Sequence, residues 1–248
     1  MCTALLDLAP DASWPVLLLG TRDEFTDRPW AAPSQWWPRD HGDVVGGLDH
    51  EAGGSWFAVN ARQRRAAMVF NALDPPALTE RTGWDSRGRL PLLAADGQRP
   101  PGRDELRRTR AFKLLQVSGS SAHLMSWDGR EVRHEAIAPG THLIDGTGVD
   151  TADGRAARWL PRLRACRRPA VGLHGRAEER WGSWLELLRD DRYEDPAGSS
   201  VVVRERVGER THATLALSAV AVGPALRFDF ASAVTAGDLD RLEWQRVV

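Results

Sequence analysis

The sequence predicts an α+β fold in which β-sheets are packed between helices. Three observations lead there: strand-like runs fill the first 145 residues, the period then switches to helical spacing, and strands return after residue 200. Residues 2–8 and 14–21 are apolar runs separated by Pro10 and Asp11, which reads as a β-hairpin beginning at the N-terminus, its first strand central or nearly so. Residues 55–59 and 66–71 form a second strand pair. Ser86 is the expected N-cap of a short apolar helix over 90–95. Strands are expected again at 112–117, 122–127, 131–137 and 142–145.

Between residues 154 and 192, Ala157, Leu160 and Leu163, then Trp181, Trp184, Leu185 and Leu188, recur at three- and four-residue intervals. That spacing predicts two amphipathic helices separated at Pro169. Strands at 201–204, 211–222 and 226–230 complete the series, and no internal repeat or low-complexity tract is present. A chain of 248 residues with 42% hydrophobic content can bury a large core, so residues 1–248 are expected to form one domain. Most of the eleven tryptophans belong in that core. Trp36 and Trp37, in a proline-bounded loop, stand apart.

Charge narrows the partners. The formal net charge is -1, with acids and bases interspersed, so the chain carries no basic stripe for nucleic-acid phosphates. Only Lys113 among the 33 basic residues is a lysine, and the arginine-rich run 103–110 also contains Asp104 and Glu105, as a solvated face does. No apolar run approaches the ~20 residues that cross a bilayer, and Asp7 and Asp11 interrupt any signal-peptide core. A cytoplasmic location without membrane insertion is expected. Two cysteines, Cys2 and Cys166, provide neither a disulfide framework nor a zinc or haem-attachment motif.

Cys2 is small enough to permit removal of the initiator methionine, after which one residue carries a thiol and a free α-amine. An α-amine titrating near pH ~8 can take the thiol proton without a histidine. The alternative for Cys2 is a buried thiol serving as a small apolar residue. Thr21-Arg22-Asp23-Glu24, followed by Asp27-Arg28-Pro29, lies at the end of the strand expected to pair with the first. Arg22 would stabilise a thiolate with its donor fork and Asp23 would hold or orient the α-ammonium; otherwise the segment is a surface ion-pair cluster.

Met1-Cys2-Thr3, TRDEFTDRPW, AGGSWFAVN over 52–60, Ser86-Arg87-Gly88 and VGERTHATLAL occur in this order over nearly the whole chain. Together they resemble the successive signatures of the Asn-Arg-Asp-Glu family, also called the transport and Golgi organisation 2 family. The resemblance implies a fold like that of the N-terminal-nucleophile hydrolases, a four-layered αββα sandwich with its nucleophile on the first strand. It also implies roles. Cys2 matches the nucleophile and Arg22 the thiol-adjacent arginine of the cysteine branch that cleaves bile-salt and penicillin amides. Asp23 matches the amine-binding aspartate at a shorter spacing, Asn71 the amide that donates to the oxyanion, and Arg210 the late arginine completing the site. Asp145 falls where an asparagine is usual, which removes an amide donor unless Asp145 instead binds the α-ammonium. Thr21, Gln63, Val207 and Glu209 also depart from the family pattern, in place of an asparagine, a turn glycine, a tyrosine and a threonine.

Other motifs fail on inspection. His50-Glu51 and His134-Glu135 lack the second histidine of a zinc-protease helix, and Gly46-Gly47 and Gly53-Gly54 read as turn glycines. Residues 145–154 lack the closing glutamate of a calcium loop, and the remaining histidines read as ordinary core or surface residues. Two functions stay open. One is hydrolysis of a small-molecule amide by Cys2, with no cofactor required. The other, implied by the resemblance, is intracellular haem handling through His41, His50, Trp36, Trp37 and Arg28 in the early loops. A scaffold that keeps the fold without the chemistry is a third outcome.

Overall fold

The computed structural model describes residues 2–75, 82–152, 154–189, 199–233 and 242–248. The N-terminal hairpin forms as the sequence predicts, from β1 (Ala4–Leu8) and β2 (Val16–Phe25), paired antiparallel with Ala4 opposite Gly20. β2 outruns its apolar segment. It stays extended through Arg22, Asp23 and Glu24 because a later strand pairs with it from Val16 to Phe25.

Next come β3 (Trp30–Ser34), β4 (Val45–Asp49), β5 (Phe57–Asn60) and β6 (Arg65–Asn71). Helix α1 (Arg89–Ala95) precedes β7 (Phe112–Ser118), β8 (Ser121–Trp127), β9 (Val132–Ala136) and β10 (Gly140–Ile144). Helices α2 (Gly154–Ala165) and α3 (Ala177–Arg189) follow. The chain then forms β11 (Arg204–Val207), β12 (Arg210–Val222), β13 (Leu226–Ala233) and β14 (Leu242–Arg246). The fold is mixed α and β, with every ladder antiparallel and three helices among the described residues.

One sheet has the order β10-β1-β2-β12-β13-β14, with β11 attached to β12; the other runs β3 to β9 in sequence order. The alternation of side chains along each strand sends its two sets to opposite faces. Ala4, Leu6, Val16, Leu18, Val220 and Phe228 meet Phe57, Val59, Met68, Phe70, Leu115 and Leu124 between the sheets, where Phe57 stacks on Phe228 with centroids 5.7 Å apart. Leu5, Leu17, Leu19 and Leu217 face the other way, onto Trp159 of α2 and Trp181 and Trp184 of α3. The second sheet carries α1 and Leu106 over Ala67, Val69, Leu114 and Met125.

Several expectations need correction. Residues 30–34, 45–49 and 242–246 are strands although Pro33, Gly46 and Gly47 weaken the first two as sequence signals. Gly46 and Gly47 serve no turn. A Cβ on Gly47 would enter the Trp56 ring, and one on Gly46 would lie 2.8 Å from the Phe57 carbonyl oxygen, so bare backbone here lets β4 approach β5. Residues 201–203 are not a strand: Val201 and Val202 are buried in the cluster beneath α2 and α3, and the ladder begins at Arg204. Gly88, not Ser86, occupies the N-cap of α1, while Ser86 Oγ accepts the Gly88 N–H at 3.0 Å.

Candidate active site

β1 is interior, held between β10 and β2, which fixes the chain leading to Cys2. Thr3 and Thr21 are buried and closely tied: the Thr21 N–H donates to the Thr3 carbonyl at 2.8 Å, and the Thr3 N–H to Thr21 Oγ1 at 3.0 Å. Thr21 thus performs a positioning task at the departure from the family pattern. Two residues further, the Asp23 N–H points at Cys2 Sγ over 3.4 Å. Burial pushes the Cys2 thiol up to about 11, and the Asp23 carboxylate adds to the rise; the N-terminal ammonium, the Asp23 N–H and Arg22 oppose it. The thiol is therefore protonated at neutral pH and needs a base to react.

Asp23 is set by a second strand. The β2–β12 register shifts between Thr214 and Ala216, an irregularity of the kind that re-aims a side chain beside a site, and Thr214 Oγ1 donates to Asp23 Oδ1 at 2.7 Å. The same hydroxyl accepts the Val203 N–H at 3.0 Å. Both of its bonding directions are thereby used.

Arg22 is 3% exposed, and its guanidinium lies 4.5 Å from the Trp56 ring centroid and 5.3 Å from that of Trp30. Nη2 faces Asp49 Oδ2 at 3.4 Å, whereas Nη1 is buried and finds no hydrogen-bond partner among the described residues. Burial pulls the Arg22 pKa down, yet a guanidinium keeps its proton at any physiological pH, so a fixed cation stands next to the thiol. Asp49 collects this side of the site. It accepts both Arg28 Nε at 2.7 Å and Arg28 Nη2 at 3.0 Å, together with the Glu51 and Ala52 N–H groups. Burial pushes its carboxyl up, but the Arg28 and Ala52 hydrogen bonds and the charges of Arg28 and Arg22 outweigh that and hold it below the usual carboxylate range.

These groups border a cavity of about 700 Å³. The structure brings Cys2, Arg22, Asp23, Asn71 and Arg210 to its wall, five of the six residues singled out for catalysis. Asn71 is exposed at the end of β6, its side chain available to a ligand. Arg210 sits at the mouth, where Asp27 takes its fork at 2.7–3.1 Å and its guanidinium lies 3.8 Å from the Phe25 ring centroid. It is committed to that ion pair rather than to the thiol.

Asp145 does not line the cavity, contrary to the expected convergence. Its Oδ1 accepts Thr147 N–H at 2.8 Å and Thr147 Oγ1 at 2.5 Å, and its Oδ2 lies 4.0 Å from Arg155 Nη1, which donates to Thr3 Oγ1 at 2.6 Å. Asp145 therefore reaches the neighbour of Cys2 through an arginine, because the β10–β1 register sets the end of β10 beside Thr3.

The early-loop residues are also dispersed. His41 Nδ1 pairs with Asp96 Oδ2 at 3.1 Å, His50 is exposed, and neither borders the cavity. Trp36 and Trp37 donate to the Ala32 and Gly53 carbonyls, and Arg28, which does border the cavity, is occupied by Asp49 and Glu51. Among the described residues no cluster of histidine, cysteine and acidic side chains could hold a metal ion.

Sequence reasoning missed Asp49, Trp56, Arg87 and Thr214. The signals were present without a role attached: Trp56 lies in the AGGSW segment, Arg87 in Ser86-Arg87-Gly88, and Thr214 in the late segment. Among the described residues no helix is long and apolar enough to cross a membrane. No curated protein matches the chain. A family model described as Transport and Golgi organisation 2 matches residues 1–222, so the chain belongs to that family.

Proposed function

We propose that the protein is an N-terminal-cysteine hydrolase of a small-molecule amide, built on the four-layer αββα plan of the N-terminal-nucleophile enzymes. The observation that carries this is the placement of Cys2 on the wall of a cavity that Arg22, Asp23 and Asn71 also border. Two face-to-face sheets with helices outside each support the layered reading.

Removal of Met1 exposes the α-amine of Cys2. In its neutral form this amine takes the proton from Sγ, and the sulfur attacks the amide carbonyl carbon. The carbonyl electron pair moves onto oxygen, where the Asn71 side-chain amide donates to it. Collapse breaks the C–N bond as the α-ammonium returns its proton to the leaving amine. A water molecule, deprotonated by the same amine, then cleaves the thioester to release the acid and regenerate the thiol. Arg22 offsets negative charge on sulfur, and Asp23 orients the ammonium. We place the reaction in the cytoplasm, where free thiols such as Cys2 and Cys166 persist.

Haem carriage is the reading the geometry favours less, because His41 and His50 lie outside this cavity and a carboxylate-bound Arg28 has no free fork for a propionate. The test is hydrolysis of a panel of N-acyl amides by the mature protein, an uncleavable N-terminal extension, Cys2→Ala and Asn71→Ala, with thermal melts as folding controls. The extension and Cys2→Ala should abolish turnover, and Asn71→Ala should lower it ~100-fold or more. Equal activity of the extended and mature forms would remove the α-amine mechanism. Absence of both turnover and an acyl-enzyme mass shift would remove the hydrolase reading altogether.

A further inference from the structure

Among the described residues, the cavity holds one arginine that pairs with no carboxylate. Arg28 is bound by Asp49 and Glu51, Arg110 by Asp74, Arg210 by Asp27, and Arg22 faces Asp49. Arg87 instead donates from Nη1 to the Ala111 carbonyl at 3.0 Å, and among the described residues it forms no ion pair. Its Nε and Nη2 donors remain for a ligand. Burial pulls the Arg87 pKa down, helped by Arg110 and opposed through space by Asp74, the Cys2 thiol and Glu24.

The arginine is also held in place. The Ser55 N–H donates to the Gly88 carbonyl at 2.9 Å, and Ser86 Oγ accepts the Gly88 N–H. Gly54 and Gly88 pack backbone on backbone, so closely that a Cβ on Gly54 would strike the Gly88 main chain. With the adjoining backbone anchored this way and Nη1 tied to the Ala111 carbonyl, the Arg87 side chain loses little freedom when it binds, which favours a built ligand contact over a mobile surface arginine. The nearby carboxylates act on Arg87 only through space: Asp74, the strongest of them, pairs with Arg110, Glu24, Asp49 and Glu51 face Arg28, and Asp85 faces Arg108 at 3.7 Å.

We propose that Arg87 is a carboxylate-binding residue and that the amide cleaved at Cys2 carries a carboxylate, which the planar guanidinium receives through Nε and Nη2. This rests on the hydrolase reading for the word cleaved, but not for binding. The carboxylate can belong to the amine half, as in an N-acyl amino acid, or to the acyl half, as in a dicarboxylic monoamide. The chemistry of recognition is the same.

Two measurements separate the site from the reaction. In the first, Cys2→Ala protein, which lacks the nucleophile, is titrated calorimetrically with N-hexanoylglycine, its neutral counterpart N-hexanoylglycinamide, and glutaric acid monoanilide. At least one carboxylate ligand should bind about 10-fold or more tightly than the carboxamide, the size of a charge-assisted hydrogen bond in a shielded site. Adding Arg87→Gln should bring that ratio towards one, and adding Arg87→Lys should restore part of it. In the second, the mature protein is assayed for kcat/KM on the same compounds. If neither carboxylate binds better than the carboxamide, the anion site is overturned even where all three are hydrolysed. A preference that survives Arg87→Gln in a folded protein assigns the carboxylate elsewhere and also overturns it. Carboxylate binding without turnover of any compound retains the site and overturns the hydrolase reading.

Discussion

At the scale of the residue, Cys2 shows how burial and charge set reactivity against each other. A thiol pushed up to about 11 is a weak nucleophile near neutrality, even with Arg22 close by, because desolvation and Asp23 outweigh the cation. In protein that keeps Met1, on a Cys166→Ser background, iodoacetamide alkylation of Cys2 should therefore accelerate about tenfold per pH unit from neutrality towards pH ~11. A plateau at the pH ~8.5 of an ordinary thiol would contradict the buried environment. Removal of Met1 places the ammonium on Cys2 itself, so the mature form should alkylate faster at pH ~8 than the unprocessed one.

Asp49 has a measurable role at the same scale. It is the carboxylate facing the buried Arg22, so Asp49→Asn leaves that guanidinium without its counter-charge and should destabilise the fold by about 3 kcal/mol, read from denaturant unfolding. The pH sign follows from the direction of its shift. A carboxyl held below its ordinary value contributes stability that is complete above the unfolded value of 3.8 and lost as the pH falls through the lower folded value. Asp49→Asn should thus narrow the difference between neutral and acid stability.

Among the elements, the junction between the bend at residues 53–54 and the segment leading into α1 joins two motifs separated by about thirty residues. The AGGSW and Ser86-Arg87-Gly88 segments belong together because Gly54 and Gly88 permit main-chain contact and the Ser55 N–H closes it. Gly54→Ala should cost about 1–3 kcal/mol, the range for forcing an atom into a filled space. It should also displace Arg87, visible as weaker discrimination of carboxylate from carboxamide. A melt unchanged from wild type would show that the contact is looser than the geometry implies. β4 follows the same logic: of two glycines that signal a turn in the sequence, Gly46 admits the Phe57 carbonyl and Gly47 makes room for the Trp56 ring, which in turn covers Arg22.

For the whole molecule, the two sheets and their outer helices hold the cavity at one end of the interior strands. Phe228 and Phe57 stack at the centre of the intersheet layer, so Phe228→Ala should remove about 3–5 kcal/mol of stability by opening a void between the sheets. Because both sheets contribute to the cavity, through β2 and β12 on one side and β4 and β6 on the other, loss of packing there should reach Cys2. Loss of less than about 1 kcal/mol in the denaturation midpoint analysis would mean that the layer repacks around the gap.

The sequence alone determined the N-terminal hairpin, the strand–helix–strand order, the two tryptophan-bearing helices and the family, because these rest on local periodicity and on ordered motifs that need no partner. It also singled out Cys2, Arg22, Asp23 and Asn71, which the structure brings to one cavity wall. Only the tertiary structure decided that β2 continues through charged residues, since pairing with β12 overrides their low strand propensity. It likewise decided that Arg210 is taken by Asp27, that Asp145 faces Arg155 and, through it, Thr3, and that Asp49 and Arg87 border the cavity. Each of these depends on which carboxylate or carbonyl a long side chain reaches across strands distant in sequence, and spacing along the chain does not encode that choice.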